Sequence, residues 1–275
     1  SNRNIFLYTP ERYLPFNDKY PEKKFDFIFV DEVYKIDNSF IIDEKEQENE
    51  RDIAYRIALT VMLADNNVNC LLAGPYIKTH NNGSFNNFLK YYGFRIVDYN
   101  DLEIVNKRII DITGKCNIIT DNFDFKYDQK RNKKVEIYTL VKSIVDNYEN
   151  TIVYCKSQFG TQKMAKVLVD KRAGRVNMNE RLEALIQHLE HIFKEGKGKD
   201  WIVTKALKMG IGVHHGCVPK YVQQEIIDLF NNNSLSVLIA TTTITEGVNT
   251  SSKNIIITSS KKGSKDLKKF DALNI

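Results

Sequence analysis

The segment 25–37 reads FDFIFVDEVYKID, an apolar run that ends abruptly in two carboxylates, Asp31 and Glu32. An aspartate at a strand end can hold Mg²⁺ directly or through water, because hard cations take oxygen ligands. A glutamate beside it can orient and deprotonate a water for attack on a phosphoryl group. The same pair also reads as a polar strand end facing solvent. A second segment, 239–249, reads IATTTITEGVN. Threonine hydroxyls and backbone N–H groups at a strand end donate well to phosphate oxygens, and Gly247 permits close backbone approach. Taken alone, it is equally a β-branched strand with a glycine turn. A third segment, 212–217, is GVHHGC. Its His214, His215 and Cys217 could in principle ligate a metal, but no CxxC pair is present to complete a tetrahedral set.

Elements that could position these groups follow from the apolar pattern. Continuous apolar runs at 5–8, 26–30, 70–73, 95–97, 151–155, 212–214, 236–240 and 254–258 predict buried strands. Continuous rather than alternating runs fit strands covered by helices on both faces. Helical spacing falls between them. Over 53–64 the inner face is read as Ile53, Ile57, Val61 and Ala64, and over 135–148 as Ile137, Leu140, Val141, Ile144, Val145 and Tyr148. The clearest stripe, over 180–193, is Leu182, Leu185, Ile186, Leu189, Ile192 and Phe193, with Asn177 and Glu180 resembling a capping box and Gly196 a stop. Pro219 opens a further helix with Val222, Ile226, Leu229 and Phe230 facing inward. Strands alternating with helices imply an α/β fold with a mostly parallel sheet. The pattern weakens over 98–134, and the polar, charged stretch 121–134 is assigned as a linker.

Composition sets the bounds. The chain has 275 residues, 42% hydrophobic and 27% charged, enough apolar mass for a sizeable core. That excludes a disordered chain, a collagen-like chain and a small disulfide scaffold. No run of about 18 apolar residues predicts a membrane span, and residues 1–20 lack the pattern of a signal peptide, so a cytoplasmic protein with no membrane partner is expected. A net charge of +5 is compatible with a polyanionic partner. The four cysteines are far apart and read as reduced, buried thiols. The run 43–52 reads as a solvated loop and first helical turn. Trp201 is the single tryptophan, and the lysine-rich end (Lys261, Lys262, Lys265, Lys268, Lys269) reads equally as a phosphate contact or a solvated face.

In order and spacing these segments resemble the superfamily 2 DExD/H-box helicases, nearest to the branch of exosome-associated RNA helicases and archaeal repair helicases. Thr9-Pro10-Glu11-Arg12 resembles motif Ib, Asp31-Glu32-Val33-Tyr34 resembles motif II, and Leu72-Ala73-Gly74-Pro75 stands where motif III belongs. The segment 151–157 resembles motif IV, 212–216 the HHxG segment, and 241–249 motif V. The resemblance implies two RecA-like (P-loop NTPase-type) parallel-sheet domains that close on ATP, Mg²⁺ and a DNA or RNA strand. It implies that Asp31 holds Mg²⁺ and Glu32 positions the attacking water. It implies that Gly247 and Asn249 face the nucleotide, and that Thr9, Arg12, Ser157, His215 and Thr241 lie along the bound strand.

The departures are specific. Tyr34 replaces the usual last residue of the box, and Ala73-Gly74-Pro75 carries no hydroxyl. No GxxxxGK[ST] or GRxGR element occurs, and the last arginine is Arg181. With no initial Met, the expectation is an inner fragment in which both RecA-like domains are incomplete. The expected domains are 1–120 (motifs Ib, II and III), the linker 121–134, and 135–275 (motifs IV and V, ending before motif VI). Three function classes follow: the core of an ATP-dependent helicase or translocase, inactive alone as this fragment; a helicase-derived nucleic-acid-binding scaffold that does not hydrolyse ATP; or an unrelated Mg²⁺-dependent hydrolase using Asp31 and Glu32. The choice between DNA and RNA stays open.

Overall fold

The computed structural model describes residues 3–33, 50–64, 68–74, 84–97, 108–112, 125, 136–192, 197–244 and 250–266. Tyr34, Pro75, Cys116, Gly196, Gly247, Asn249, Lys268 and Lys269 lie outside the described residues, as do Phe193 and most of 43–52 and 121–134. The chain divides into two compact units, Ser1–Lys107 and Arg108–Ile275. Phe125, within the expected linker, is buried in the core of the second unit.

In the first unit, α1 (Pro10–Lys19) is followed by β1 (Phe27–Val30), α2 (Glu50–Leu63), β2 (Asn69–Leu72) and α3 (Ser84–Tyr91). Strands β1 and β2 pair in parallel, Phe27 opposite Asn69 and Val30 opposite Leu72. The expected strand at 5–8 is absent. Ile5 and Leu7 are exposed, while Phe6 and Tyr8 pack their rings against Phe16, so aromatic contact rather than a ladder holds this segment. Residues 95–97 form no strand either. The inner face of α2 also differs from the expected one. Tyr55, Ala58, Leu59 and Leu63 are buried, whereas Ile53 and Ile57 face outward. Tyr55, Leu59 and Leu63 form the buried cluster against which Val30, Cys70 and Leu72 pack.

The second unit contains α4 (Ile137–Asp146), β3 (Thr151–Tyr154), α5 (Gln158–Asp170), α6 (Glu180–Ile192), α7 (Lys197–Asp200), α8 (Ile202–Leu207), β4 (Ile211–His214), α9 (Lys220–Asn231), β5 (Val237–Ala240), β6 (Asn254–Ile257) and the two-residue strands β7 (Lys261–Lys262) and β8 (Lys265–Asp266). The main sheet is parallel, in the order β4-β5-β3-β6. Every residue of β3, β4 and β5 is buried, as expected for a parallel sheet packed with helices. The stripes of α6 and α9 seal this core through Leu182, Leu185, Ile186 and Leu189, and through Val222, Ile226, Leu229 and Phe230. Ile192 is exposed at the end of α6. Asn179, not Asn177, caps α6: its side-chain oxygen accepts the Leu182 amide at 2.9 Å, and its Nδ2 donates to Ser234 Oγ. Tyr148 lies past the end of α4 and is exposed rather than inward.

Gly210 joins α8 to β4 at φ +73°, and a Cβ there would lie 2.0 Å from the Arg175 carbonyl oxygen. Gly263 has φ +64° but open space around it. Gly210→Ala is therefore expected to cost about 3 kcal/mol, from left-handed strain plus overpacking, and Gly263→Ala only about 1 kcal/mol. Denaturant unfolding of the two variants checks the ordering; equal losses would contradict it.

Candidate functional site

Parallel pairing of β1 with β2 brings the motif II and motif III segments side by side. The Ala73 amide donates to the Val30 carbonyl at 2.8 Å, and the Val33 amide donates to the Ala73 carbonyl at 2.9 Å. Between these two bonds the chain has only Asp31 and Glu32 with which to turn. Glu32 takes φ +55°, a conformation that costs a non-glycine residue about 1–2 kcal/mol. The turn is held from both sides. The Asp31 carboxylate accepts the Glu32 amide at 2.8 Å, and the Tyr55 hydroxyl donates to the Asp31 carbonyl. Strain kept at a strand end is a recurrent mark of functional sites. Asp31 is exposed and Glu32 half-buried. A solvent-facing carboxylate with a second one beside it is a donor set that suits a hard cation retaining most of its water. Among the described residues no three His, Cys, Asp or Glu side chains converge as a metal site, which leaves His214, His215 and Cys217 without that role.

Thr9 is the N-cap of α1, with Pro10 following it. Its carbonyl accepts the Arg12 and Tyr13 amides, while its side chain makes no capping bond. Thr9 and Arg12 are both exposed, so a hydroxyl and a guanidinium stand beside a helix N-terminus, where phosphate oxygens are favoured.

In the second unit the strand ends are flush: Tyr154 and His214 both pair with Ala240. Just beyond them, the Cys155 amide donates to the Ala240 carbonyl at 2.8 Å and the Thr241 amide to the His214 carbonyl at 3.3 Å. Ser157, His215 and Thr241 are thus brought to one edge of the sheet. Ser157 caps α5 by accepting the Gly160 amide at 3.1 Å, which leaves its hydroxyl hydrogen to donate. Thr241 is 8% exposed. His215 is buried, and its ring shapes a turn instead of forming surface. Nδ1 accepts the Cys217 amide at 3.2 Å, the His215 carbonyl accepts the Val218 amide, and Gln223 Nε2 donates to the His215 and Val218 carbonyls. With Nδ1 accepting, the ring proton belongs on Nε2, which is buried and has no partner among the described residues. Such an orphan costs about 1–3 kcal/mol. The part of this turn that reaches solvent is Gly216 and Cys217. The Cys217 thiol donates to Gln158 Oε1 at 3.0 Å, locking the turn to α5. Gln158 and Gln223 escape a motif search; the signal for them was the position of each within the first turn or so of a helix flanking the turn.

The helicase conserved C-terminal domain matches residues 115–269, the stretch that contains this flush edge. The chain belongs to that family. It is a helicase superfamily 2 member. Anti-bacteriophage protein B of Escherichia coli (strain K12) is 28% identical over 279 residues, covering 100% of this chain and 34% of that protein. Probable ATP-dependent DNA helicase HFM1 is 28% identical over 136 residues in Mus musculus (50% of this chain, 9% of the relative) and 27% over 143 residues in Xenopus tropicalis (51% and 10%). The chain thus spans about a third of the length of the bacterial relative and about a tenth of the animal ones. No helix among the described residues is long and apolar enough to cross a membrane.

Burial in the helicase domain changes the chemistry of its titratable groups. It lowers the proton affinity of both histidines, and His215 adds a charge repulsion that lowers His214 further. Burial pushes the Cys155 thiol up to about 11, and in the first unit it pushes the Cys70 thiol up to about 11 as well, so both stay protonated. Cys217, in contrast to the expectation of buried thiols, is exposed.

Two outcomes are expected. The folded state binds fewer protons than the unfolded chain once pH falls below the ordinary imidazole value of about 6.5, so stability is full above that pH and declines as pH drops below it. Protonation of His215 would also turn Nδ1 from acceptor to donor against the Cys217 amide. Thermal melts from pH 7.5 to 5 should show this decline, and a flatter profile in His215→Gln; an unchanged slope in that variant would exclude His215 as its source. Alkylation mapped by mass spectrometry should reach Cys217 before Cys155 or Cys70, and the reverse order would contradict the burial.

Proposed function

We propose that the chain is the strand-gripping core of an ATP-dependent superfamily 2 translocase. The single observation behind the reading is the flush edge, where three neighbouring strand ends deliver the motif IV, HHG and motif V segments to one line. Two RecA-like domains are proposed, with 1–120 and 135–275 as their parts and 121–134 between them. Ser157 and Thr241 offer hydroxyls to the strand backbone, Gly216 and Cys217 offer an exposed turn, and buried His215 holds that turn in place. Thr9 and Arg12 supply the contact from the first domain. Contacts of this kind grip phosphates without reading bases.

The nucleotide site is proposed on Asp31 and Glu32, and Gly247 and Asn249 of the motif V segment are proposed to contact the nucleotide. Asp31 would hold Mg²⁺, and Glu32 would orient the attacking water and accept its proton. Bound Mg²⁺–ATP supplies the phosphoryl group whose hydrolysis drives the cycle. The exosome-associated and archaeal repair helicases are the proposed nearest branch. The relatives named as DNA helicases support DNA as the strand, and the similarity of the chain to about a third of Anti-bacteriophage protein B supports a role in defence against phage, which implies a cytoplasmic site of action. A second reading, a binding scaffold without hydrolysis, draws on the missing hydroxyl of motif III: Ala73 serves β1 only through its backbone.

The 275-residue chain should bind single-stranded DNA with an affinity that falls as salt rises. Ser157→Ala combined with Thr241→Ala should weaken binding about tenfold, the loss of two polar contacts. Having no GxxxxGK[ST] segment, this chain alone should turn over no ATP. In the longer protein that contains it, Glu32→Gln should lower strand-stimulated turnover at least ~100-fold. Turnover unaffected by Glu32→Gln would sink the catalytic assignment; strand binding without any turnover in the longer protein would favour the scaffold.

A further inference from the structure

Among the described residues, four helices end in the same paired closure. The residue after the cap donates its amide three residues back, and the next residue donates five back. The pairs are Gly93 to Lys90 with Phe94 to Leu89 (α3), Tyr148 to Val145 with Glu149 to Ile144 (α4), Arg172 to Val169 with Ala173 to Leu168 (α5), and Asn233 to Phe230 with Ser234 to Leu229 (α9). The first residue of each pair must be left-handed, and φ is +68°, +63°, +49° and +59° respectively. Glycine and asparagine are the ordinary occupants of that position, and α3 and α9 use them. Helices α4 and α5 use tyrosine and arginine instead, at a conformational cost that glycine avoids. These two exceptions line the same cleft, of about 280 Å³.

The rest of the cleft explains what such side chains could do there. Arg175 sets its guanidinium 4.5 Å from the centre of the Tyr148 ring, and its Nη1 donates to the Val145 carbonyl at 3.4 Å. Tyr148 nevertheless remains 82% exposed, so most of its ring is open to a second flat group. Arg172 is exposed and makes no ion pair with a described residue. Asp146 is also in the lining, and two helix C-termini bring their negative ends here, which disfavours an anion. Two guanidiniums outweigh the one carboxylate, and Arg175 already answers the end of α4. The Arg175 amide donates to Ser236 Oγ at 2.8 Å, immediately before β5, so the cleft lies at the amino edge of the sheet, opposite Ser157 and Thr241.

We propose that this cleft binds one nucleotide unit, its phosphate on the Arg172 guanidinium and its base stacked on Tyr148. An exposed ring beside a cation is the arrangement that holds unpaired bases irrespective of sequence. The site is independent of the carboxyl-edge grip and would give a bound strand a second hold on the same domain. An acidic peptide would satisfy the charge but would leave the ring unused.

The test titrates the 275-residue chain with 5′-AMP, inorganic phosphate, adenosine and hexaglutamate, reading affinity by calorimetry and the Tyr148 ring by NMR. AMP should bind at least about tenfold more tightly than phosphate or adenosine, and Arg172→Gly and Tyr148→Gly should each lower its affinity about tenfold. Arg172→Gly should meanwhile keep or raise the melting temperature, because glycine suits φ +49°; loss of binding is then not loss of fold. AMP binding equal to that of phosphate, hexaglutamate binding as tight as AMP, or full AMP affinity in Arg172→Gly would each overturn the proposal. Loss of DNA binding in Ser157→Ala/Thr241→Ala with AMP binding intact would separate this site from the carboxyl-edge grip.

Discussion

A strand buried on both faces can send its backbone N–H and C=O groups nowhere except to its neighbours. Strand β5 is under that constraint, with Val237, Leu238, Ile239 and Ala240 all fully buried. It is satisfied only by lying between β3 and β4 in register, and the bonding continues past its end, through Cys155 to Ala240 and Thr241 to His214. The segments that follow the three strands are therefore aligned by the ladder that lets the core exist. In this domain the functional edge and the stability of the sheet are one set of hydrogen bonds. A change that slides one strand by a residue would both bury the wrong side chains and misalign the turns proposed to face phosphates.

That coupling also accounts for what could be read from the amino acids. The runs at 151–155, 212–214 and 236–240 are short and mostly apolar, and such runs leave a covered parallel strand as the simplest reading. The inward faces of α6 and α9 were equally plain, because leucine and isoleucine recur at helical spacing along them. The first unit was less transparent. Ile5 and Leu7 have the composition of a strand, but nothing in the chain at large dictates a partner for them, and the rings of Phe6 and Tyr8 settle on Phe16 instead. Isoleucine spacing does not reveal the inner face of α2, because Tyr55 rather than Ile53 or Ile57 is buried there.

The candidate site was legible by type more than by geometry. Carboxylates after a hydrophobic run, and hydroxyls after another, are visible in a string of letters. What the string conceals is which group of a residue does the work. His215 looks like a surface ligand in sequence, yet its ring is spent on the Cys217 amide and its value lies in the shape it imposes. Ser157 likewise holds a helix end with one lone pair. Gln158 and Gln223, ordinary polar helix residues by any pattern, fix the turn from two sides because long amides can span from a helix to a neighbouring loop.

The flush register has a metric meaning. Neighbouring strands in a sheet lie about 4.8 Å apart, so the ends of β4, β5, β3 and β6 form an evenly divided edge about 14 Å long. A nucleic-acid strand advances about 3.4 Å per residue in B-form stacking, so on the proposed reading that edge would match about four nucleotides. The sheet is in this sense a ruler, its divisions set by peptide hydrogen bonds and not by any side chain. On the proposed reading, altering a contact residue would change how firmly a strand is held, whereas only adding or removing a β-strand would change how much of it the domain could hold.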